Sequence, residues 1–179
     1  MKKITLITGN AGKAKEVARY LGFPVDHVAL DLHEIQSLNL EEIVREKAAS
    51  AYEKVKIPVL VEDVSLIFTA LGNLPGPLVK WFEKELGLEG LARLVDGKDR
   101  SCTAMVCYGY HNGKEIHLAS GSMKGNVADH PRGDKGFGWS PIFIPKGMSR
   151  TYAELSLEER DPIAMRRKAL KKLREVLIK

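Results

Sequence analysis

The order in which two hydrophobic periodicities follow each other constrains this chain most. Lys3 to Thr8 (KITLIT) is a β-branched, apolar run, and after Gly9-Asn10 the spacing becomes helical, with Ala14, Val17, Ala18 and Leu21 on one stripe. A strand, a tight turn and a helix therefore open the chain. Val25 to Leu30 reads as a second strand. Asn39, with Glu42 three residues on, predicts a capping box opening a helix to about Val55, and Val59 to Asp63 predicts the next strand. Beyond the breaker cluster Leu74-Pro75-Gly76-Pro77, two short helices over Val79 to Leu86 and Leu88 to Leu94 are split at Gly87. Period-2 patterns then take over. Cys102 to Tyr110 and Glu115 to Met123 flank His111-Asn112-Gly113-Lys114, and Asn-Gly between two such runs signals a hairpin. A polar, glycine-rich loop over Asp129 to Trp139 leads to a short strand at Ile142 to Ile144, and a last helix spans about Ile163 to Ile178. Strands alternating with helices and then a hairpin predict an α/β fold with a mixed sheet covered by helices.

At 179 residues, with no internal repeat, low-complexity tract or linker, the chain is expected to form one domain over 1–179. Its 44% hydrophobic and 28% charged residues exclude a disordered or collagen-like chain. No apolar run approaches the ~20 residues of a membrane helix, and Met1 to Thr8 is too short for a signal peptide, so a cytoplasmic location without a membrane partner is expected. Cys102 and Cys107 stand five apart in one strand and point to opposite faces, which predicts reduced thiols.

A net charge of +5 leaves open nucleic acid, a phosphorylated small molecule or a merely basic surface. Much of the surplus lies in the last helix, in Arg166, Arg167, Lys168, Lys171, Lys172, Arg174 and Lys179, where a solvated face is the simplest reading. A nucleic-acid module would need a basic stripe interleaved with exposed aromatics. The five Tyr, five Phe and two Trp fall mostly in core-like runs, so no stable nucleic-acid partner is expected.

Four places carry candidate chemistry, and each keeps a plain structural alternative. Thr8-Gly9-Asn10-Ala11-Gly12-Lys13 puts a hydroxyl, small residues and a lysine at a helix start, where free N–H groups and the dipole attract phosphate. It is not a Walker A loop, since Ala14 stands where Ser or Thr would hold a metal, and a simple turn with a surface lysine remains open. Glu62 and Asp63 place carboxylates at the end of an apolar strand, one on each side of the sheet, suited to Mg²⁺ or to a solvated acidic turn. At 100° per residue, Lys47 falls inside the stripe of Ile43, Val44, Ala48, Ala51 and Val55, and Arg166 inside that of Leu170, Leu173 and Leu177, whereas Arg167 and Lys171 fall on the polar side. Either cation snorkels along the core edge or meets an internal anionic partner. Gly136-Phe137-Gly138-Trp139 sets aromatics among glycines, as a stacking platform for a planar base or as a hydrophobic plug.

Five ordered segments, TGNAGK (Thr8 to Lys13), VLVEDVSL (Val59 to Leu66), LPGPLVKWF (Leu74 to Phe82), GFGWSPIF (Gly136 to Phe143) and TYAEL (Thr151 to Leu155), resemble the inosine triphosphate pyrophosphatase, or Ham1-like, family from Ile4 to about Lys172. The resemblance implies an elongated mixed α/β fold with a deep central cleft, a homodimer, and Mg²⁺-dependent cleavage of a nucleoside triphosphate to monophosphate and pyrophosphate, with ITP, dITP and XTP as substrates. It implies Thr8, Asn10, Lys13, Lys47 and Lys80 as phosphate binders, with Gly9 and Val64 beside the substrate. Glu34 and Asp63 become the metal ligands, Asp63 and Lys13 the catalytic pair, and Glu62 a support for Asp63.

Departures from the family pattern cluster among the residues implied to read the base. Ser140 replaces the Asp of an FG(Y/W)DP motif, Arg160 stands for Lys, and Ala164-Met165-Arg166 replaces Ser-His-Arg. Phe137, Gly138, Trp139 and Arg166 remain beside Ser140, Arg160 and Met165. Replacing a carboxylate by a hydroxyl removes an acceptor for a ring N–H, and the expectation is intact catalysis with altered base selectivity. A nucleotide-binding protein without turnover is the alternative, though Glu34, Glu62 and Asp63 are all present.

Overall fold

The computed structural model describes residues 4–177, which leaves Lys3 of the first expected strand and Ile178 and Lys179 of the last helix outside the described residues. Seven strands form an open mixed sheet flanked by helices. They are β1 (Thr5–Ile7), β2 (Asp26–Val28), β3 (Val59–Phe68), β4 (Pro75–Gly76), β5 (Ser101–His111), β6 (Ile116–Val127) and β7 (Phe143–Pro145). Their order is β2-β1-β3-β5-β6-β7, with β4 paired to β3. The helices are α1 (Ala11–Leu21), α2 (Leu40–Val55), α3 (Val79–Arg93), α4 (Leu157–Arg160) and α5 (Met165–Leu177). None is long and apolar enough to cross a membrane.

The chain divides into two compact units, the first made of 1–63, 106–121 and 166–179, the second of 64–105 and 122–165. In the first unit β1 runs parallel to both β2 and β3, pairing Thr5 with Asp26 and with Val59. Leu6, Val17, Leu21, Val44, Leu60, Val61, Leu170 and Leu173 are buried there. Gly109 of β5 lets α2 lie close to the sheet, because a side chain at that position would start 2.8 Å from Val44 Cγ1. α2 thereby carries Lys47 near β3.

In the second unit β4 is antiparallel to β3, and β7 to β6 through Gly125 with Pro145 and Val127 with Phe143. Its core holds Leu66, Phe68, Leu91, Ala104, Ile142, Phe143 and Leu155. From Ala119 to Val127, β6 alternates buried and exposed residues, as a strand with one wet face should.

Several boundaries follow the periodicities. Gly87 interrupts α3 at φ 65° and ψ 176°, and Asn112 closes the hairpin by accepting from the Lys114 and Glu115 N–H groups. Two differ. β3 does not end at Asp63 but continues through Val64 to Phe68, because Val-Ser-Leu-Ile-Phe stays apolar and pairs with β4; Glu62 and Asp63 are therefore mid-strand residues. At α2, Asn39 caps the Glu41 and Glu42 N–H groups, yet no reciprocal box with Glu42 forms. The Ser37 hydroxyl intervenes, accepting from the Asn39 N–H and donating to Glu42. α4 went unforeseen; Ser156 and Glu159 close a full capping box at its start.

Candidate active site

Adjacent residues of a strand face opposite sides, so Glu62 and Asp63 enter two different charge clusters of the first unit. Glu62 is buried, and Arg166 grips it side-on, Nε donating to Oε2 and Nη2 to Oε1, both at 3.1 Å. Lys13 Nζ lies 2.8 Å from the same Oε1. Arg166 is only 3% exposed and also approaches Glu16 of α1, at 3.7 Å. Burial pushes the Glu62 carboxyl up, but Arg166 and then Lys13 outweigh it and hold it far below the usual carboxylate range. Burial likewise opposes the Arg166 charge, and Glu62 reverses the effect, so the guanidinium is held more firmly protonated than usual. The Tyr108 hydroxyl is buried near Glu62 without closing a hydrogen bond to it, and burial, then the Glu62 charge, raises its pKa well above the ordinary tyrosine value.

The second cluster centres on Lys47, whose side chain is 15% exposed and points inward as its helical angle predicts. Its Nζ donates to Glu34 Oε1 at 2.6 Å and to Asp63 Oδ2 at 3.3 Å. Burial acts against this charge, yet Asp63 and Glu34 more than offset it and raise the lysine pKa. Two carboxylates from a connecting segment and a central strand thus converge on one ammonium from a helix. Among the described residues no three His, Cys, Asp or Glu side chains gather as a ready metal cage. The hard oxygen donors of Glu34 and Asp63 nonetheless fit Mg²⁺, which keeps few protein ligands beside polyphosphate oxygens.

The turn before α1 is organised from within. Thr8 Oγ1 accepts from the Asn10 N–H at 3.1 Å, and Asn10 Oδ1 accepts from the Gly12 and Lys13 N–H groups at 2.9 and 3.2 Å. The helix-start donors at Gly12 and Lys13, expected to be free, are therefore capped, as an Asn at that position favours. Gly12 accommodates the cap, since a side chain there would begin 3.0 Å from Asn10 Oδ1.

In the second unit, Phe137, Gly138, Trp139, Ser140 and Arg160 come together, although not in one role. Trp139 is buried, meeting Phe137 and Phe143 edge-on at 5.9 and 5.5 Å between ring centres. Of the two aromatics, it is Phe137, half-buried, that keeps an accessible ring. Ser140 is fully buried, and its hydroxyl donates to the Phe137 carbonyl at 2.7 Å while accepting the Phe137 N–H at 3.2 Å. Gly136, at φ 93°, makes room for it, because a side chain there would start 2.7 Å from Ser140 Oγ. Arg160 lies over the Tyr152 ring, and Met165 is buried. Val64 is half-buried on β3, and Lys80 stands exposed in the first turn of α3, its ammonium 5.8 Å from the Trp81 ring centre.

Two neighbours of these clusters lie outside the sequence reading. Glu16 stands three residues beyond Lys13, hence on the same helix face, and that spacing is the available signal. Tyr108, inside a uniformly apolar strand, gave none.

Comparison with known proteins gives the family of the chain. Residues 4–176 match the model of the Ham1 family. Inosine triphosphate pyrophosphatase 2 of Trypanosoma cruzi (strain CL Brener) is 46% identical over 173 residues, covering 94% of this chain and 88% of that protein. A HAM1 protein from Coxiella burnetii superposes with a TM-score of 0.85 at 26% identity over 99% of each chain. A nucleoside-triphosphatase, dITP/XTP pyrophosphatase, from Mycobacterium abscessus gives a TM-score of 0.75 at 29% identity, covering 96% of this chain and 98% of that one.

Proposed function

Because this chain belongs to the Ham1 family, we propose that it hydrolyses non-standard purine nucleoside triphosphates, ITP, dITP and XTP, to the monophosphate and pyrophosphate. The relatives' names, inosine triphosphate pyrophosphatase and dITP/XTP pyrophosphatase, support the substrate class. The observation that carries the reading is the convergence of Glu34 and Asp63 on Lys47: a cation and a carboxylate partly withdrawn from water, joined by the more exposed carboxylate of Glu34, suit a triphosphate and its counter-ion.

Pyrophosphate leaves when a water oxygen bonds to the α-phosphorus and the bond from that phosphorus to the bridging αβ oxygen breaks. Asp63 accepts the proton of the attacking water, and Glu34 with Asp63 would hold Mg²⁺. The ion, when bound, supplies charge neutralisation on the triphosphate oxygens. Lys47 and Lys13 neutralise the charge growing on the leaving pyrophosphate, and Thr8, Asn10 and Lys80 contact phosphate. Glu62 and Arg166 act through Lys13, fixing its ammonium rather than touching phosphate. Phe137 lies against the base, with Arg160 reaching its polar edge. The whole chain acts as one catalytic domain, a cytoplasmic homodimer.

The test is pyrophosphate release with Mg²⁺ across ITP, XTP, dITP, GTP, ATP and pyrimidine triphosphates, on protein whose sedimentation is expected at twice the 19.9 kDa chain mass. Preference for the first three, reduced about a hundredfold or more by Asp63→Asn, is the expected result. Preference for another base would assign the chain a different nucleotide, and binding without release in the unaltered protein would sink the hydrolase reading.

A further inference from the structure

The loop from Gly136 to Ser140 is bordered by polar groups whose hydrogen-bonding capacity is unspent. Glu83, half-buried on α3, has no hydrogen-bond or ion-pair partner among the described residues, and burial is what acts on its carboxyl, raising its pKa. Its Oε2 lies 3.1 Å from where a side chain would begin on Gly138, so the carboxylate rests against that residue's bare Cα. α3 also packs against the short turn Ser140–Ile142. On the other glycine of the loop, Arg160 Nη1 is 3.6 Å from the corresponding position of Gly136, while the Nε of the same guanidinium is buried without a partner. Ser140 offers nothing further, since its hydroxyl is committed to both backbone groups of Phe137.

One acceptor, the Glu83 carboxylate, and one donor, Arg160 Nη1, thus stand beside Gly136 and Gly138, whose backbone stays exposed even though Ser140 and Glu83 occupy the space a side chain would take. A buried polar group left unsatisfied is destabilising unless a ligand satisfies it. The amide edge of a 6-oxopurine is complementary, with N1–H donating and O6 accepting. Adenine is not, because its N1 would turn a lone pair toward the carboxylate.

We propose that Glu83 determines base specificity, its carboxylate accepting the N1–H of a 6-oxopurine seated against Gly138. The inference rests on the reading of this loop as the base-binding element. It makes Glu83 the charged acceptor of the site in place of the hydroxyl of Ser140, and selectivity for 6-oxopurines the result.

Glu83→Gln and Glu83→Leu test it through two readouts, the ratio of kcat/KM for ITP over ATP and the ratio of affinities for IMP over AMP by calorimetry. Both ratios are expected to fall about tenfold to a hundredfold, Gln acting partly by admitting adenine through its amide N–H and Leu by weakening the oxopurine alone. Ratios within twofold of the unaltered protein in both variants would overturn the proposal while leaving the hydrolase reading intact. Unaltered protein that binds IMP over AMP, loses this in the variants and hydrolyses no triphosphate would uphold Glu83 and remove the hydrolase reading. No preference in the unaltered protein by either measure would overturn both.

Discussion

The two units treat buried polarity in opposite ways. In the first, every charge singled out as chemical is matched: Glu62 by Arg166 and Lys13, Lys47 by Glu34 and Asp63. In the second, Arg160 Nε and Trp139 Nε1 at the glycine-aromatic loop are buried without partners among the described residues, and Glu83 is unpaired there against Gly138. Paired charges form a field that is fixed before any substrate arrives and need little reorganisation to meet a triphosphate of constant charge. Unpaired groups instead make stability depend on what fills the site, which is how discrimination between similar rings arises. On the proposed function, electrostatic strength and selectivity sit in different parts of the chain.

The largest effect should come from breaking the matched pair. Arg166→Met leaves Glu62 buried with only Lys13, itself about a third exposed, and should cost about 3–5 kcal/mol of stability in urea unfolding. Adding Glu62→Leu should restore most of that loss, because an apolar pair replaces two desolvated charges. Turnover should not return with it, since Lys13 is no longer held. Recovery of both together would show that the pair matters to folding alone, and a single-variant cost below about 1 kcal/mol would show the pair to be solvated.

A smaller, graded effect follows from acid. The folded-state pKa of Glu62 is depressed, so its contribution is present above the unfolded value of about 4.3 and is lost as pH falls toward the folded value. Since that value lies far below the ordinary range, stability should fall by about 1.4 kcal/mol per pH unit from this group alone through the window below pH ~4. Glu62→Gln should remove that component of the slope. Equal slopes in the two proteins between pH 4 and 3 would mean that the carboxylate gains nothing on folding.

The matched cluster was also the more legible of the two. A cation inside an apolar helical stripe must meet an anion or leave the stripe, so Lys47 and Arg166 could be placed inward from spacing alone. Their partners could not be identified, because Glu62 is 104 positions from Arg166 in the chain and helix period carries no information across elements. The apolar run identifies the strand carrying Glu62 and Asp63 but not its length, since two acids interrupt a run that the sheet continues to Phe68. The loop was harder. Glycines and aromatics signal close approach and packing equally, and which ring faces outward depends on tertiary neighbours such as Phe143. Asn10 capping its own helix hid the same way: a residue type suited to phosphate is also suited to a cap.

The smallest effect separates the loop's scaffold from its reader. Replacing an Asp by Ser140 suggested from sequence that base discrimination is changed through this position. In the structure the hydroxyl is turned to Phe137 O and N–H and is fully buried. Ser140→Ala should therefore cost about 1–2 kcal/mol, the loss of two hydrogen bonds softened by relaxation of the loop. The ITP over ATP ratio should stay within about twofold, while KM for both rises together, as uniform loss of binding requires. A change of ratio as large as that expected at Glu83 would mean that the Ser140 hydroxyl leaves Phe137 to meet the base. The loop would then resemble the charge clusters in reverse, exchanging an internal partner for the substrate.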